Sequence, residues 1–207
     1  MLQASFLPRM PFLQAVENRE SFFRRIAILY PPSDHRYLEI ERAYDHMKDA
    51  FRDVCRESGE RYFEHLRAVA LILIEYLRVR DHRLIIAGLC HDSVEDSEYW
   101  TVERIRNEFG DYVAWLVDFM TKPSKEEYPD RKDRDRVYHS RFRAAPREFF
   151  LLKLSDRLHN MLTLDARIEE KRQRKIMETR NFYLPYAEQH LILLHELEEA
   201  VELAEAL

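Results

Sequence analysis

His91, Asp92, Glu95 and Asp96 bring one imidazole and three carboxylates together directly after the apolar run Leu84-Ile85-Ile86-Ala87-Gly88-Leu89-Cys90. A run that is hydrophobic on every side predicts a buried helix. Positions four apart share a helical face, so His91 is expected over Glu95 and Asp92 over Asp96. Leaving such groups unpaired at the edge of a core is costly, and a cation is the partner that suits them. Taken alone, the stretch is equally an amphipathic helix end with a solvated acidic face. His-Asp adjacency means little by itself, since Asp34-His35, Asp45-His46 and Asp81-His82 also occur and are given no function.

A second set points the same way. Phe149-Phe150-Leu151-Leu152-Lys153-Leu154-Ser155-Asp156 is again an apolar run ending in polar groups, with Asn160 one turn on. An aspartate in such a run needs a partner. Two helices that each aim acidic groups out of a core are most simply joined by one shared cation.

The elements that must position these groups are all helical. Residues 12–29 have helical periodicity and stop at Pro31-Pro32; the next helix carries Tyr37 to Val54 and ends at Ser58-Gly59. A third helix is expected from Tyr62 to about Val79, with His65 near its start, and Asp81 caps the helix of the organising stretch. Thr101 caps a short helix closed by Gly110, followed by one marked by Val113, Leu116, Val117 and Met120. The charged stretch from Lys122 to Arg136, with Pro123 and Pro129, reads as an exposed loop running into a helix. Pro146 opens the helix of Asp156. Two more helices, roughly 166–182 and 186–206, are expected on either side of Pro185. The last either packs on its own domain or forms a homodimer contact. No segment alternates as a strand, so the fold class is all-α.

Composition narrows the function. At 207 residues, 34% charged and 46% hydrophobic, the chain is expected to form one globular domain. A net charge of -5 argues against a general nucleic-acid binder. No apolar run approaches the roughly 20 residues that span a bilayer, and Met1 to Phe12, interrupted by Pro8 and Pro11, is not a secretory signal. Cys55 and Cys90 make no disulfide framework, and the expected location is cytoplasmic. The three glycines are too dispersed for a phosphate-cradling loop, so any phosphate must be met by a metal and cationic side chains.

Together these residues resemble the HD-type metal-dependent phosphohydrolases, specifically the hydrolase domain of RelA/SpoT-type alarmone enzymes. The resemblance rests on Ser58-Gly59-Glu60 with Tyr62 and His65, and on His91-Asp92-x-x-Glu95-Asp96. It continues through Thr101 to Gly110, through Val117, Thr121 and Lys122, and through Lys153 to Met161. Glu178-Thr179 followed by Tyr183-Leu184-Pro185-Tyr186-Ala187 adds a fifth motif, and the match covers about residues 44–190. It implies an HD-domain helical bundle within a single domain, 1–207, with a helical N-terminal extension over 1–32 and a C-terminal helix over 186–207. With no synthetase segment after the match, a small stand-alone alarmone hydrolase is expected.

The resemblance also implies roles. His65, His91, Asp92 and Asp156 would ligate one divalent ion, usually Mn²⁺; the ligand types alone suit Mn, Fe, Co or Zn. Glu95 and Asp96 would orient the attacking water and take its proton. Arg56, through its planar guanidinium, would stack on the base, with Ser58, Lys153, Asn160 and Thr163 as further substrate-binding residues. The substrate would be a phosphorylated nucleotide, guanosine bis-diphosphate, losing pyrophosphate from its 3′ position. Two alternatives remain: another nucleotide, such as a phosphomonoester or the 2′-phosphate of NADPH, and a nucleotide-sensing module with a structural metal. The chain departs from the family pattern at Phe51, Val54, Glu57, Arg61 and Leu66. Glu57 stands where a basic residue is common and opposes a polyphosphate, with Arg61 and the basic residues of 122–136 as the expected compensation. Cys90 reads as a small buried hydrophobe and His159 as a structural hydrogen-bonding histidine.

Overall fold

The computed structural model describes residues 4–164 and 167–206, and nearly all of its regular structure is helical. Among the described residues the only β pairing is an isolated antiparallel bridge between Cys55 and Arg61. Two short 3-10 turns, Leu7–Arg9 and Pro11–Leu13, precede α1 (Arg19–Leu29), so the helix expected from residue 12 begins later. Its start is fixed by Asn18, whose side chain accepts from the Ser21 amide at 2.9 Å while the Ser21 hydroxyl accepts from the Asn18 amide at 3.0 Å. Asp34 caps α2 (His35–Ala50). That helix stops short of the expected Ser58, and residues 51–61 fold back as a tight loop with Gly59 at φ +82°.

α3 (Tyr62–Leu71) runs into a π-helical turn, Ile72–Tyr76, and then ends, before the expected Val79. Asp81 caps α4 (His82–Cys90), every residue of which from Leu84 onward is buried. α4 lies against α2, α3, α7 (Asp111–Met120) and α9 (Arg147–Leu162), which makes it the central rod. Its approach to α3 is very close: a Cβ on Gly88 would stand 2.9 Å from Leu73 Cδ1 and 3.6 Å from Ala70 Cα. The pair that carries His65 and His91 is thus locked by a residue without a side chain.

The organising helix does not continue through its ionisable residues. α4 stops at Cys90, His91 and Asp92 form a turn, and α5 (Ser93–Asp96) restarts after it. Side chains have taken the carbonyls that the helix would use. His91 Nδ1 is 2.9 Å from the Gly88 carbonyl, and the Ser93 hydroxyl donates to the Cys90 carbonyl at 2.7 Å. The expected stacking of His91 over Glu95 in one helix is replaced by a corner. His91 turns into the core while Glu95 stays at the surface.

α6 (Val102–Phe109) packs on α7, with Gly110 between them at φ +86°. The charged segment after Met120 leads into α8 (Arg131–Ser140), as expected. The sequence expectation that a helix begins at 166 falls outside the described residues; α10 is Glu169–Glu178. Pro185 does not separate two helices. The chain passes from α10 through a π turn, Thr179–Tyr183, into α11 (Leu184–His190), where Pro185 occupies the first turn and needs no donor. The break comes at Leu191 and Leu193, both at φ +53°, before α12 (Leu194–Glu205). α12 buries Leu197, Ala200, Val201 and Ala204 against its own domain, chiefly α9, while Leu191 lies outside the helix and is exposed. Ser5 and Arg9 reach Glu199 and Glu196 of α12, tying the N-terminal segment across the bundle. No described helix is long and apolar enough to cross a membrane.

Gly88→Val should cost roughly 1–3 kcal/mol by overpacking against Leu73, read as a lowered midpoint in urea unfolding. A wild-type midpoint would mean that α3 and α4 are not locked there.

Candidate metal centre

Three separate segments deliver one cluster. α3 carries His65, the corner after α4 carries His91 and Asp92, and α9 carries Asp156. Donor atoms of His65, His91 and Asp156 lie within 4.8 Å of one another. Asp92 faces the same point: its Oδ2 is 3.5 Å from His65 Nε2 and 3.2 Å from His91 Nε2. Asp156 Oδ1 is 3.3 Å from His65 Nε2 and 3.8 Å from His91 Nε2.

The residues behind the cluster decide what it presents. The His91 Nδ1–H donates to the Gly88 carbonyl, leaving Nε2 to face the carboxylates; Nε2 is buried without a hydrogen-bond partner. Tyr62 donates its hydroxyl to Asp92 Oδ2 at 2.7 Å, and its ring stacks on the buried Phe51 at 5.0 Å. Lys153 donates to Asp156 Oδ2 at 3.0 Å, and Asn160 donates to Asp156 Oδ1. An imidazole lone pair 3.2 Å from a carboxylate oxygen is repelled unless a cation stands between them. In the metal-free protein a proton fills that role. Burial alone lowers His91, yet Asp92 and Asp156 outweigh it and push it up to about 10. Burial likewise works against the charged forms of Asp92 and Asp156, but His91 on the first and Lys153 on the second hold both well below the usual carboxylate range. Two imidazoles and two carboxylates, already charged and aimed at one point, fit a divalent ion.

Above the cluster opens a cavity of about 390 Å³. Asp92 and Asp156 form part of its lining, with Glu95 and Asp96 beside them. Glu95 exposes an edge to solvent, but protein crowds its carboxylate, whose Oε1 accepts from the Lys122 amide at 2.6 Å. Burial and the Asp92 charge push Glu95 up to about 7, and the same two causes raise Asp96. Arg56, Lys153 and Asn160 line the cavity as well. Ser58 and Thr163 do not: the Ser58 hydroxyl faces the Glu60 amide at 3.4 Å, and Thr163 donates to the His159 carbonyl at 3.0 Å.

The sequence reading missed the cationic wall formed by Arg157, Arg167 and Lys175, to which the 122–136 segment adds Arg131 and its leading residue Lys122. Arg157, buried in the same run as Asp156, was the available signal; Arg167 and Lys175 gave none. Burial, with Arg157 next, lowers Lys175 to about 7. The compensation for Glu57 also differs from expectation. Glu57 pairs with Lys171 at 2.7 Å and Arg167 at 3.3 Å, while Arg61 turns away to Glu64 at 2.6 Å.

This all-α scaffold, with its His/Asp cluster on three segments, is matched by the family model for the HD domain over residues 43–191, and the chain belongs to that family. Among curated relatives, a guanosine-3′,5′-bis(diphosphate) 3′-pyrophosphohydrolase of Aquifex aeolicus is 40% identical over 151 residues, which are 72% of this chain and 21% of that protein. A GTP pyrophosphokinase of Streptomyces coelicolor is also 40% identical over 151 residues, 72% of this chain and 17% of that one. The bifunctional (p)ppGpp synthase/hydrolase SpoT of Escherichia coli K12 is 34% identical over 176 residues, 84% of this chain and 24% of SpoT. The chain thus spans about a fifth of the length of these relatives. A solved structure of a metazoan ortholog of SpoT, described as hydrolysing ppGpp, shares the fold with a TM-score of 0.66 at 22% identity, covering 82% of this chain and 97% of that one.

At a divalent-ion concentration 100-fold above its Kd, the protein should gain about 2.7 kcal/mol of stability, seen as a raised Tm. Asp156→Ala and His91→Ala should abolish both the gain and the bound metal measured by elemental analysis. A Tm indifferent to every divalent ion would remove the metal centre.

Proposed function

We propose that this chain is a Mn²⁺-dependent hydrolase that removes pyrophosphate from the 3′ position of a guanosine alarmone, yielding GDP or GTP. The observation that carries this reading is that Glu95 and Asp96 share one cavity with Asp92 and Asp156 of the cluster and with the cations Lys122, Arg131, Arg157, Arg167 and Lys175. A purely structural ion needs no such carboxylate pair and no cationic wall. The names of the Aquifex relative and of SpoT support the substrate class, and the neutralisation of Glu57 by Lys171 and Arg167 removes the local objection to a polyphosphate.

His65, His91, Asp92 and Asp156 would hold the ion, which when bound supplies Lewis-acid polarisation of a phosphoryl oxygen and eases deprotonation of water. The chain's own side chains account for the rest. Of the residues that line the cavity, Arg56 and Asn160 would face the nucleoside, and Lys122, Arg131, Arg157, Arg167 and Lys175 would meet the phosphates. Water attacks the phosphorus attached to the ribose 3′ oxygen. Its proton passes to Glu95, whose raised affinity for protons suits a general base near neutrality, with Asp96 orienting the same water. The P–O3′ bond breaks, the water oxygen stays on the departing pyrophosphate, and the 3′ oxygen takes up a proton.

Incubation with Mn²⁺ and ppGpp should release GDP and pyrophosphate. Orthophosphate from a nucleotide monophosphate or from NADPH, with ppGpp left intact, would assign a different substrate to the same chemistry. Glu95→Gln combined with Asp96→Asn should lower turnover roughly 10²- to 10⁴-fold while metal content stays at wild type. Because the base must be deprotonated and a bound cation pulls its titration down from about 7, the acid limb of kcat should fall at or below neutrality. Undiminished turnover in the double variant would overturn these roles.

A further inference from the structure

Arg56 does more at this site than face a nucleotide. Its NH1 is 3.2 Å from His159 Nδ1, and its NH2 donates to Asn160 Oδ1 at 2.7 Å. Each of these partners touches a candidate metal ligand: His159 Nδ1 is 2.9 Å from His65 Nδ1, and Asn160 Nδ2 donates to Asp156 Oδ1. The guanidinium therefore reaches two of the four ligands through one intervening side chain each.

A guanidinium only donates. His159 Nδ1, opposite Arg56, must be an acceptor and carries no proton. The short contact between His159 Nδ1 and His65 Nδ1 then has one possible direction, with the His65 Nδ1–H donating. That leaves the His65 lone pair on Nε2, the nitrogen facing Asp92 and Asp156. The second arm follows the same logic. With Asn160 Oδ1 occupied by Arg56, its amide group is the end that meets Asp156, and a reversed amide would put two oxygens together. Without Arg56 the local preference runs the other way: His159 is free to carry its proton on Nδ1 and donate it to His65. An Nε2–H on His65 would then donate to the two carboxylates, a comfortable arrangement that cannot ligate a metal.

We infer that Arg56 is a positioning residue for the metal centre, fixing through His159 and Asn160 the tautomer of His65 and the hydrogen bond to Asp156 that an incoming divalent ion requires. This rests on the metal site and not on the identity of the nucleotide.

The test compares wild type, Arg56→Ala and Arg56→Lys without any substrate. Titration calorimetry with Mn²⁺ and Zn²⁺ should give a Kd roughly 10- to 100-fold weaker for Arg56→Ala, the scale of losing a group that orients a ligand. Thermal unfolding of the metal-free proteins shows that the variants are folded. Long-range ¹H–¹⁵N correlation of the histidine side chains in metal-free protein at alkaline pH should report Nδ1–H for His65 in wild type and a shift towards Nε2–H in Arg56→Ala. Arg56→Lys, which keeps a donor for His159, should restore the tautomer and most of the affinity. Wild-type metal affinity and an unchanged His65 tautomer in Arg56→Ala would overturn the inference, as would a lysine variant no better than alanine. If wild type itself bound no ion, the proposed hydrolase would fall while the tautomer measurement still judged Arg56.

Discussion

The structure depends on one electrostatic constraint: two carboxylates and the Nε2 atoms of two imidazoles held within about 4 Å of one another in the interior. Acceptors at that distance repel strongly where water is scarce unless positive charge or donated hydrogens stand among them. Separate rigid elements supply these groups, and none can retreat without disturbing the core. α4 is the anchor. It is buried from Leu84 onward, contacts four other helices, and is pressed against α3 at Gly88. A cluster supplied by one flexible loop would relax apart when empty; supplied by α3, the α4 corner and α9, it cannot.

The second consequence is a ring of donors around the acceptors. Tyr62 serves Asp92, Lys153 and Asn160 serve Asp156, and His91 uses its outer nitrogen on the Gly88 carbonyl. Each bond stabilises an anion or fixes an orientation, so the two carboxylates are held charged and His91 Nε2 is held facing them, the arrangement a divalent ion would need. The helix break after Cys90 belongs to the same ring. The His91 and Ser93 side chains take carbonyls from the last turn, which ends the helix and swings Asp92 into line with His91. Termination and ligand placement are one event.

The sequence made the cluster and the helical class legible because both are written in local contrast. An ionisable residue at the end of an apolar run is visible at Asp92 and Asp156 without any knowledge of the fold. What was not legible depends on distant partners or on the backbone. The corner at His91 needed the Ser93 hydroxyl to compete with a backbone amide. The continuity through Pro185 needed the π turn that delivers the chain into α11. The partners of Glu57 come from residues more than a hundred positions away, Arg167 and Lys171, which nothing in the sequence singles out over Arg61 or the basic residues of 122–136. The structural hydrogen-bonding role that the sequence suggests for His159 takes the form of a 2.9 Å contact with His65, at the candidate metal centre.

The cationic wall carries the final step. With only three glycines, set far apart, the chain has no glycine-rich cradle for phosphate, so the cations that could meet one come from side chains, among them Arg157 of α9, Lys175 of α10 and Arg167 between the two helices. Crowding is costly, and the cost is visible at Lys175, whose proton affinity falls to about 7 because burial and Arg157 oppose its charge. Acids already stand among these cations: Arg157 pairs with Glu178 at 3.1 Å and Arg167 with Glu57 at 3.3 Å, and both acids line the same cavity. A polyanion of the kind proposed would offset the repulsion that remains at Lys175, and beside the Asp92 and Asp156 carboxylates it would do so best once a divalent ion had balanced them. On the proposed function, metal and phosphate binding would therefore be coupled through charge: each would make the cavity more hospitable to the other, since without the ion a phosphate would meet the Asp92 and Asp156 carboxylates.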